Sequence, residues 1–237
     1  LSTFATSDHP IDLSGLYSGA AFLLCPGPSL ASTPFDLLRS PGLATMTLNR
    51  AAYLFHGTFH IAADSPEHTP DSIWRDPNIV KFLPRGRAPR DWPRYPGVVF
   101  YRVTKKGEYG DLLMGESIPM GFPTTGGRAT MPMAIGILYR LGFRKVYLLG
   151  CDFRMSEHGP YCVPKDRTRE QAAGSNRLFD AMNRWFDDLA PIFRDAGLTV
   201  LNATPGSRLT AFPRRDLADC VARAVVDMPA PETEFPA

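Results

Sequence analysis

Cysteine is scarce in this chain, with four residues among 237, at Cys25, Cys151, Cys162 and Cys220. No C-x-x-C pair and no Cys/His spacing of the kind zinc needs occurs, which excludes a structural zinc site and a disulfide framework as organising principles. Long apolar runs are missing too. The longest, residues 19–25 and 146–151, fall far short of the ~20 residues of a membrane-spanning helix. An excess of one charge is also lacking: 26 Lys+Arg face 24 Asp+Glu, so net charge does not announce a nucleic-acid binder and any basic surface must be local. Residues 1–10 lack the basic start and apolar core of a secretory signal, which makes the cytosol the expected compartment. The phosphate-binding signatures G-x-G-x-x-G and G-x-x-x-x-G-K are both absent, which counts against NAD enzymes and P-loop kinases. So is a D-x-D pair, and no metal is demanded.

What is present reads as an ordinary globular composition, 44% hydrophobic and 21% charged, of a length that fits one α/β domain. Residues 19–25 form a short continuous apolar run that empties into Pro26-Gly27-Pro28-Ser29, the profile of a buried parallel strand ending in a loop. A short helix is expected at 32–38, and further strands at 44–49 and 58–64, which end in Asn49 and Asp64. In open α/β sheets the carboxyl edge of the strands binds ligands, so those polar ends mark the first candidate site. Prolines crowd residues 65–117, which are expected to form an insertion whose one clear strand is 98–103. Periodicity then predicts a helix over 129–141 opened by a threonine-glycine cap and closed by Gly142. It also predicts a strand over 145–151, an amphipathic helix over 176–196, a strand over 198–202 and a helix over 217–226. The alternation argues a Rossmann-like, mostly parallel sheet with helices on both faces, in a single nucleotide-binding domain over 1–227, and the Pro/Glu tail 228–237 is expected to be disordered.

Two glycine-bearing turns stand at expected helix starts, where backbone N–H groups favour an anion. In the first, proline removes two donors and leaves Gly27, Ser29 and Leu30 to cradle a phosphate; the same sequence also suits a plain strand-to-helix turn. In the second, Thr124-Thr125-Gly126-Gly127-Arg128 can hold a sugar or phosphate or serve as a structural loop. For proton transfer, His158 and Asp64 are the candidate bases, each with an alternative reading as a solvated or loop-capping residue. His56 and His60 flank an aromatic-rich strand and are expected to pack. Within 81–106, Lys81, Arg85, Arg87, Arg90, Arg94, Arg102, Lys105 and Lys106 face only Asp91, with aromatics interleaved. Such a stretch can follow a nucleic-acid backbone or simply line a solvated loop, and Arg85, Arg87, Arg90 and Arg94 are the candidate contacts.

The combination of PGPSL after the first strand, a strand ending in Asn49, TTGG before the helix ATMPMAIGILYRLGF, and RKVYLLGCDF resembles two related groups. These are the bacterial sialyltransferases that use CMP-sialic acid and the motility-accessory and 6-hydroxymethylpterin diphosphokinase-like proteins. The resemblance covers residues 20–54 and 124–212, with 124–153 its most specific part. For the sialyltransferases it implies that Gly27 and Ser29 approach the nucleotide phosphate and that Asn49, Thr125, Gly126 and Gly127 contact the donor. It also implies that Asp152 holds a ribose or base edge and that Tyr161 stabilises the departing phosphate. This chain departs from that group where a histidine base would precede the S-x-N helix start, for it has Ala172-Ala173-Gly174-Ser175-Asn176 instead. The expected activity is a transferase, a glycosyltransferase moving a group from a nucleotide sugar to an acceptor hydroxyl on a glycan, a small molecule or a hydroxylated DNA base, with no metal required. The alternatives are an ATP- and magnesium-dependent diphosphokinase and a non-catalytic nucleotide- or nucleic-acid-binding module.

Overall fold

In the computed structural model, residues 3–6, 9–63, 68–85, 95–121, 129–159, 161–163 and 167–227 are described. Among them run eleven strands: β1 (Phe4–Ala5), β2 (Pro10–Ile11), β3 (Ala20–Leu24), β4 (Ala44–Leu48), β5 (Phe59–Ile61), β6 (Val80–Pro84), β7 (Val98–Tyr101), β8 (Val103–Thr104), β9 (Ile118–Pro119), β10 (Lys145–Leu149) and β11 (Thr199–Asn202). Five α-helices accompany them: α1 (Asp71–Arg75), α2 (Asp111–Met114), α3 (Thr130–Leu141), α4 (Arg169–Asp195) and α5 (Leu217–Val226).

Nine strands form one sheet in the order β11-β10-β3-β4-β5-β6-β7-β1-β2, parallel from β11 to β7 and antiparallel only at the β7-β1-β2 edge. The fold is thus α/β and Rossmann-like. The chain steps outward from β3 to β7 and then returns to place β10 on the other side of β3, so the direction of winding reverses between β3 and β10. A crevice opens at such a reversal, outside the carboxyl ends of the two strands.

Because successive side chains of a strand point to opposite faces, β3 and β10 sort their apolar residues between two cores. Ala21, Leu23, Val146 and Leu148 face α3 and α4, with Trp185, Phe186 and Leu189 of α4 fully buried there. Phe22, Leu24, Tyr147 and Leu149 face α5 and the 3-10 turns Pro28–Ser32 and Phe35–Arg39. Those 3-10 turns replace the helix expected at 32–38, since Pro28 and Pro34 fix the chain at each turn's start without supplying N–H groups for a longer α-helical ladder.

Three other expectations change. Strands β6 and β7 belong to the main sheet, so the proline-rich stretch extends the parallel core and does not stand outside it; Pro84 is accommodated because it is the last residue of its strand. Helix α4 begins well before residue 176, at a capping box in which the Thr168 Oγ1 accepts from Gln171 N at 3.2 Å and Thr168 N donates to Gln171 Oε1 at 3.1 Å. The N-cap of α3 is Ala129, with no side-chain cap, in place of the expected threonine-glycine cap; residues 122–128 lie outside the described set. Gly142 closes α3 in the left-handed region, as expected. The tail 228–237 is also outside the described residues.

Candidate functional site at the β3/β10 crevice

The two strand ends are fastened to one another before any ligand is considered. Gly27 N donates to the Gly150 carbonyl at 2.9 Å, and a Cβ on Gly27 would overlap both that oxygen and the Asp152 carboxylate. Glycine is therefore required at 27 by close approach, and at 150 by a φ of 64° and contact with the Cys25 carbonyl. Asp152, only 5% exposed, accepts the Ser29 hydroxyl at 2.8 Å and the Ser29 amide at 3.3 Å. Leu30 N is engaged with Gly27 O at 3.1 Å. All three amides expected to cradle a phosphate thus have partners within the protein, and a carboxylate occupies the place an anion would take. A nucleotide phosphate on this turn would have to displace Asp152.

Around this fastening lies a cavity of about 330 Å³, whose lining includes Gly27, Asn49, Ala63, Asp152, Phe153, Arg154, Tyr161 and Arg167. Among the described residues only Asn49 and Phe153 combine a side chain with positive φ, 49° and 54°, and both line the cavity. Asparagine tolerates that conformation; a bulky aromatic does not, and Phe153 is held there by stacking on Phe179 of α4 at 5.2 Å. The kink it makes keeps Asp152 pointed at the β3 turn while the chain leaves toward the loop 154–163. Local strain of this sort collects at functional sites.

That loop folds back over the crevice. Cys162 N donates to Pro26 O at 3.0 Å, which sets Tyr161 beside two guanidinium groups: Arg50 lies 5.9 Å and Arg167 5.2 Å from its ring centre. Arg167 also donates through Nη2 to the Tyr161 hydroxyl, while its buried Nε has no hydrogen-bond partner. Among the described lining residues Asp152 is the one carboxylate, and it is already bonded to Ser29, whereas Arg154 and Arg167 both line the cavity. The mouth therefore favours an anion.

The expected site residues divide cleanly. Gly27, Asn49, Asp152 and Tyr161 come together at the cavity, with Ser29 behind Asp152. His158 sits on the exposed part of the loop and does not line the cavity. Asp64, Thr125, Gly126, Gly127, Arg87, Arg90 and Arg94 lie outside the described residues; Arg85 is exposed just past β6. Lys81, counted above with the basic stretch, is fully buried: its ammonium donates to Pro96 O at 2.8 Å and to Asp76 O, and burial pushes its pKa below the ordinary lysine value. His60 packs, as expected, between Thr47 and Thr69 hydroxyls at 3.0 Å each. Arg50, Arg154 and Arg167 were not singled out from the sequence. Arg50 directly follows Asn49 at a strand end, which is the signal that could have marked it.

Cys151 and Cys162 do not offer a nucleophile here. Burial and the neighbouring Cys25 push the Cys151 thiol well up, and burial pushes Cys162 up to about 11. Among the described residues no group of three or more His, Cys, Asp or Glu side chains could hold a metal ion, and no helix is long and apolar enough to cross a membrane. No protein-family model, curated protein or solved structure matches the chain.

Proposed function

We propose that the protein is a nucleotide-dependent transferase, a glycosyltransferase that moves a sugar from a nucleotide-activated donor to an acceptor hydroxyl. The observation that carries this reading is the hydrogen-bonded Tyr161–Arg167 pair, with Arg50 beside the tyrosine ring, at the mouth of the crevice where an open α/β sheet reverses direction. The donor phosphate lies against the arginines and not on the β3 turn, whose amides are already engaged. Asp152 keeps lone pairs beyond those used by Ser29 and accepts a ribose hydroxyl, and Asn49 faces the same crevice.

In the transfer, the acceptor oxygen attacks the anomeric carbon, the bond from that carbon to the phosphate oxygen breaks, and its electron pair leaves with the nucleotide. Arg167 stabilises the charge that develops on the departing phosphate. The Tyr161 oxygen accepts from Arg167, so its own O–H is directed to that phosphate as a donor. The acceptor's proton goes to Asp64, one peptide bond beyond cavity-lining Ala63, in preference to His158 on the exposed loop.

Calorimetric titration of the whole chain with CMP, UDP, GDP and ATP, each with and without magnesium, tests the reading. One nucleotide is expected to bind with an affinity that magnesium leaves unchanged and that falls about tenfold or more in Arg167→Ala, as loss of a charged hydrogen bond implies. Absence of binding by all four overturns it, and ATP binding that depends on magnesium replaces it with the diphosphokinase alternative.

A further inference from the structure

The inner wall of the cavity is rich in sulfur. Five of the chain's eight methionines line it, Met120, Met131, Met133, Met155 and Met182, beside Cys25 and Cys151, and the Cys151 Sγ lies 3.8 Å from the Met131 Sδ. All of these but Met155 are buried in the fold, whereas Arg154 is exposed and Asn49, Tyr161, Arg167 and Ser175 are half-buried, so the cavity has an apolar floor and a polar, cationic rim. Among the described buried residues that line it, only Thr130 and Asp152 carry a polar side chain, and Asp152 is bonded to Ser29.

We propose that this floor receives the aromatic body of the acceptor, and that the acceptor is a small aryl alcohol or phenol, not a glycan or a nucleic acid. The assignment rests on the nucleotide reading of the rim given above. A sugar has several hydroxyls; with the reacting one given to the base, the others would lie against thioethers with Thr130 alone among the described floor residues to answer them, and each unanswered hydroxyl weakens binding. A nucleobase brings a polar edge that meets the same shortage. An aromatic ring has no such requirement. Thioethers contact ring edges favourably, and unbranched methionines adapt to a flat ligand. The volume, about 330 Å³, is at the small end for ligand cavities and suits one or two fused rings, not an oligosaccharide. The Thr130 hydroxyl at the first turn of α3 is then the group that holds the acceptor's oxygen.

The test uses the whole chain labelled with carbon-13 at the methionine methyls, the eight signals being assigned by single Met→Leu replacements, and titrated with 4-methylumbelliferone. Ring-current shifts are expected at Met120, Met131, Met133, Met155 and Met182, with none at Met46, which is buried in the same core but does not line the cavity, or at Met114, which is 76% exposed. Methyl glucoside and a short oligodeoxynucleotide carrying 5-hydroxymethyluracil are expected to move none of them. No shift with the aryl probe, equal shifts at Met114, or cavity shifts from the glucoside or the oligonucleotide overturn the assignment. The unlabelled nucleotide panel, run on the same preparation, separates the two readings. Nucleotide binding without the aryl shifts sinks the acceptor assignment and leaves the transferase standing; aryl shifts without nucleotide binding sink the transferase, and the acceptor assignment goes with it.

Discussion

Ser29 and Asp152, 123 residues apart in sequence, are joined by a hydroxyl-to-carboxylate hydrogen bond of 2.8 Å that closes the carboxyl end of β3 onto that of β10. The same carboxylate takes the Ser29 amide, so one buried acid does for this turn what a phosphate does in many nucleotide-binding folds. Two consequences arise from that substitution of one anion for another. The turn is set before any ligand arrives, and the ligand's own charge has to be met by the arginines around Tyr161.

The fastening should be sensitive to single atoms. Asp152→Ala leaves the Ser29 amide and hydroxyl without an acceptor in a nearly buried place, which lowers stability by about 1–3 kcal/mol. Gly27→Ala adds a Cβ that overlaps Asp152 and the Gly150 carbonyl, and should lower the unfolding free energy at least as much. Urea denaturation of the two variants beside Ser29→Ala checks this. A Gly27→Ala protein as stable as the wild type would mean that the turn is looser than described.

Roles at the rim separate kinetically. Tyr161→Phe removes the O–H that the proposed mechanism gives to the departing phosphate while keeping the ring beside Arg50 and Arg167, so kcat should fall about 10²-fold with nucleotide affinity nearly unchanged. Asp64→Asn should lower kcat by a similar factor, and His158→Ala, at an exposed position off the cavity, should leave it within about twofold. A large loss in the histidine variant would return the base to the loop.

Much of the frame was readable because continuous apolar runs such as 20–24 and 145–149 are bounded by glycine and proline, and a buried parallel strand has few other ways to look. The start of α4 was not, since Gly174-Ser175-Asn176 suggests a break while the Thr168/Gln171 pair that starts the helix lies outside the apolar periodicity. Lys81 misleads for a different reason. Its charge in a basic stretch looks solvated, but it is the second residue of β6, an inner strand, and its long stem brings the ammonium to two carbonyls in the segments that precede β6 and β7. The placement of Tyr161 depends on a loop folding back onto Pro26, a tertiary event with no local signature. Asn49 was marked by its place at a strand end and Asp152 only by the resemblance; the arginines near Tyr161 and at the cavity come from a strand end's next residue and from a distant loop.

Lys81 also yields a test of how this face meets polyanions. Lys81→Met strips a charged donor from the Asp76 and Pro96 carbonyls and should cost about 1.5–3 kcal/mol of stability. It should leave the salt dependence of any DNA binding untouched, because a buried ammonium releases no counterion. Exposed Arg85, changed to Ala, should do the opposite: stability held, and the log–log salt slope reduced by about 0.7 to 0.9 if that arginine meets a phosphate. A slope that changes with Lys81 and not with Arg85 would contradict the burial of the lysine.

His60 gives the fold a pH dependence whose sign is fixed by its surroundings. It is fully buried, bonded through its two ring nitrogens to Thr47 and Thr69 and set edge-on to Trp74, and burial, helped by the nearby Lys81 charge, pushes its pKa down to about 3. Unfolded, the imidazole returns to a value near 6.5. Between those two values the unfolded chain binds a proton that the folded one refuses, so stability rises with pH across that window. The contribution is fully present above about pH 6.5 and is lost progressively as pH falls toward about 3. Lowering the pH from about 7.5 to about 5.5 should therefore remove about 1.4 kcal/mol through this residue alone. His60→Gln keeps a donor and an acceptor for the two threonines but does not titrate, and the difference in urea stability between it and the wild type, taken at both pH values, isolates the term from every other acid and base in the chain. Equal pH dependence in the two proteins would show that His60 is charged in the fold, or that another group carries the effect.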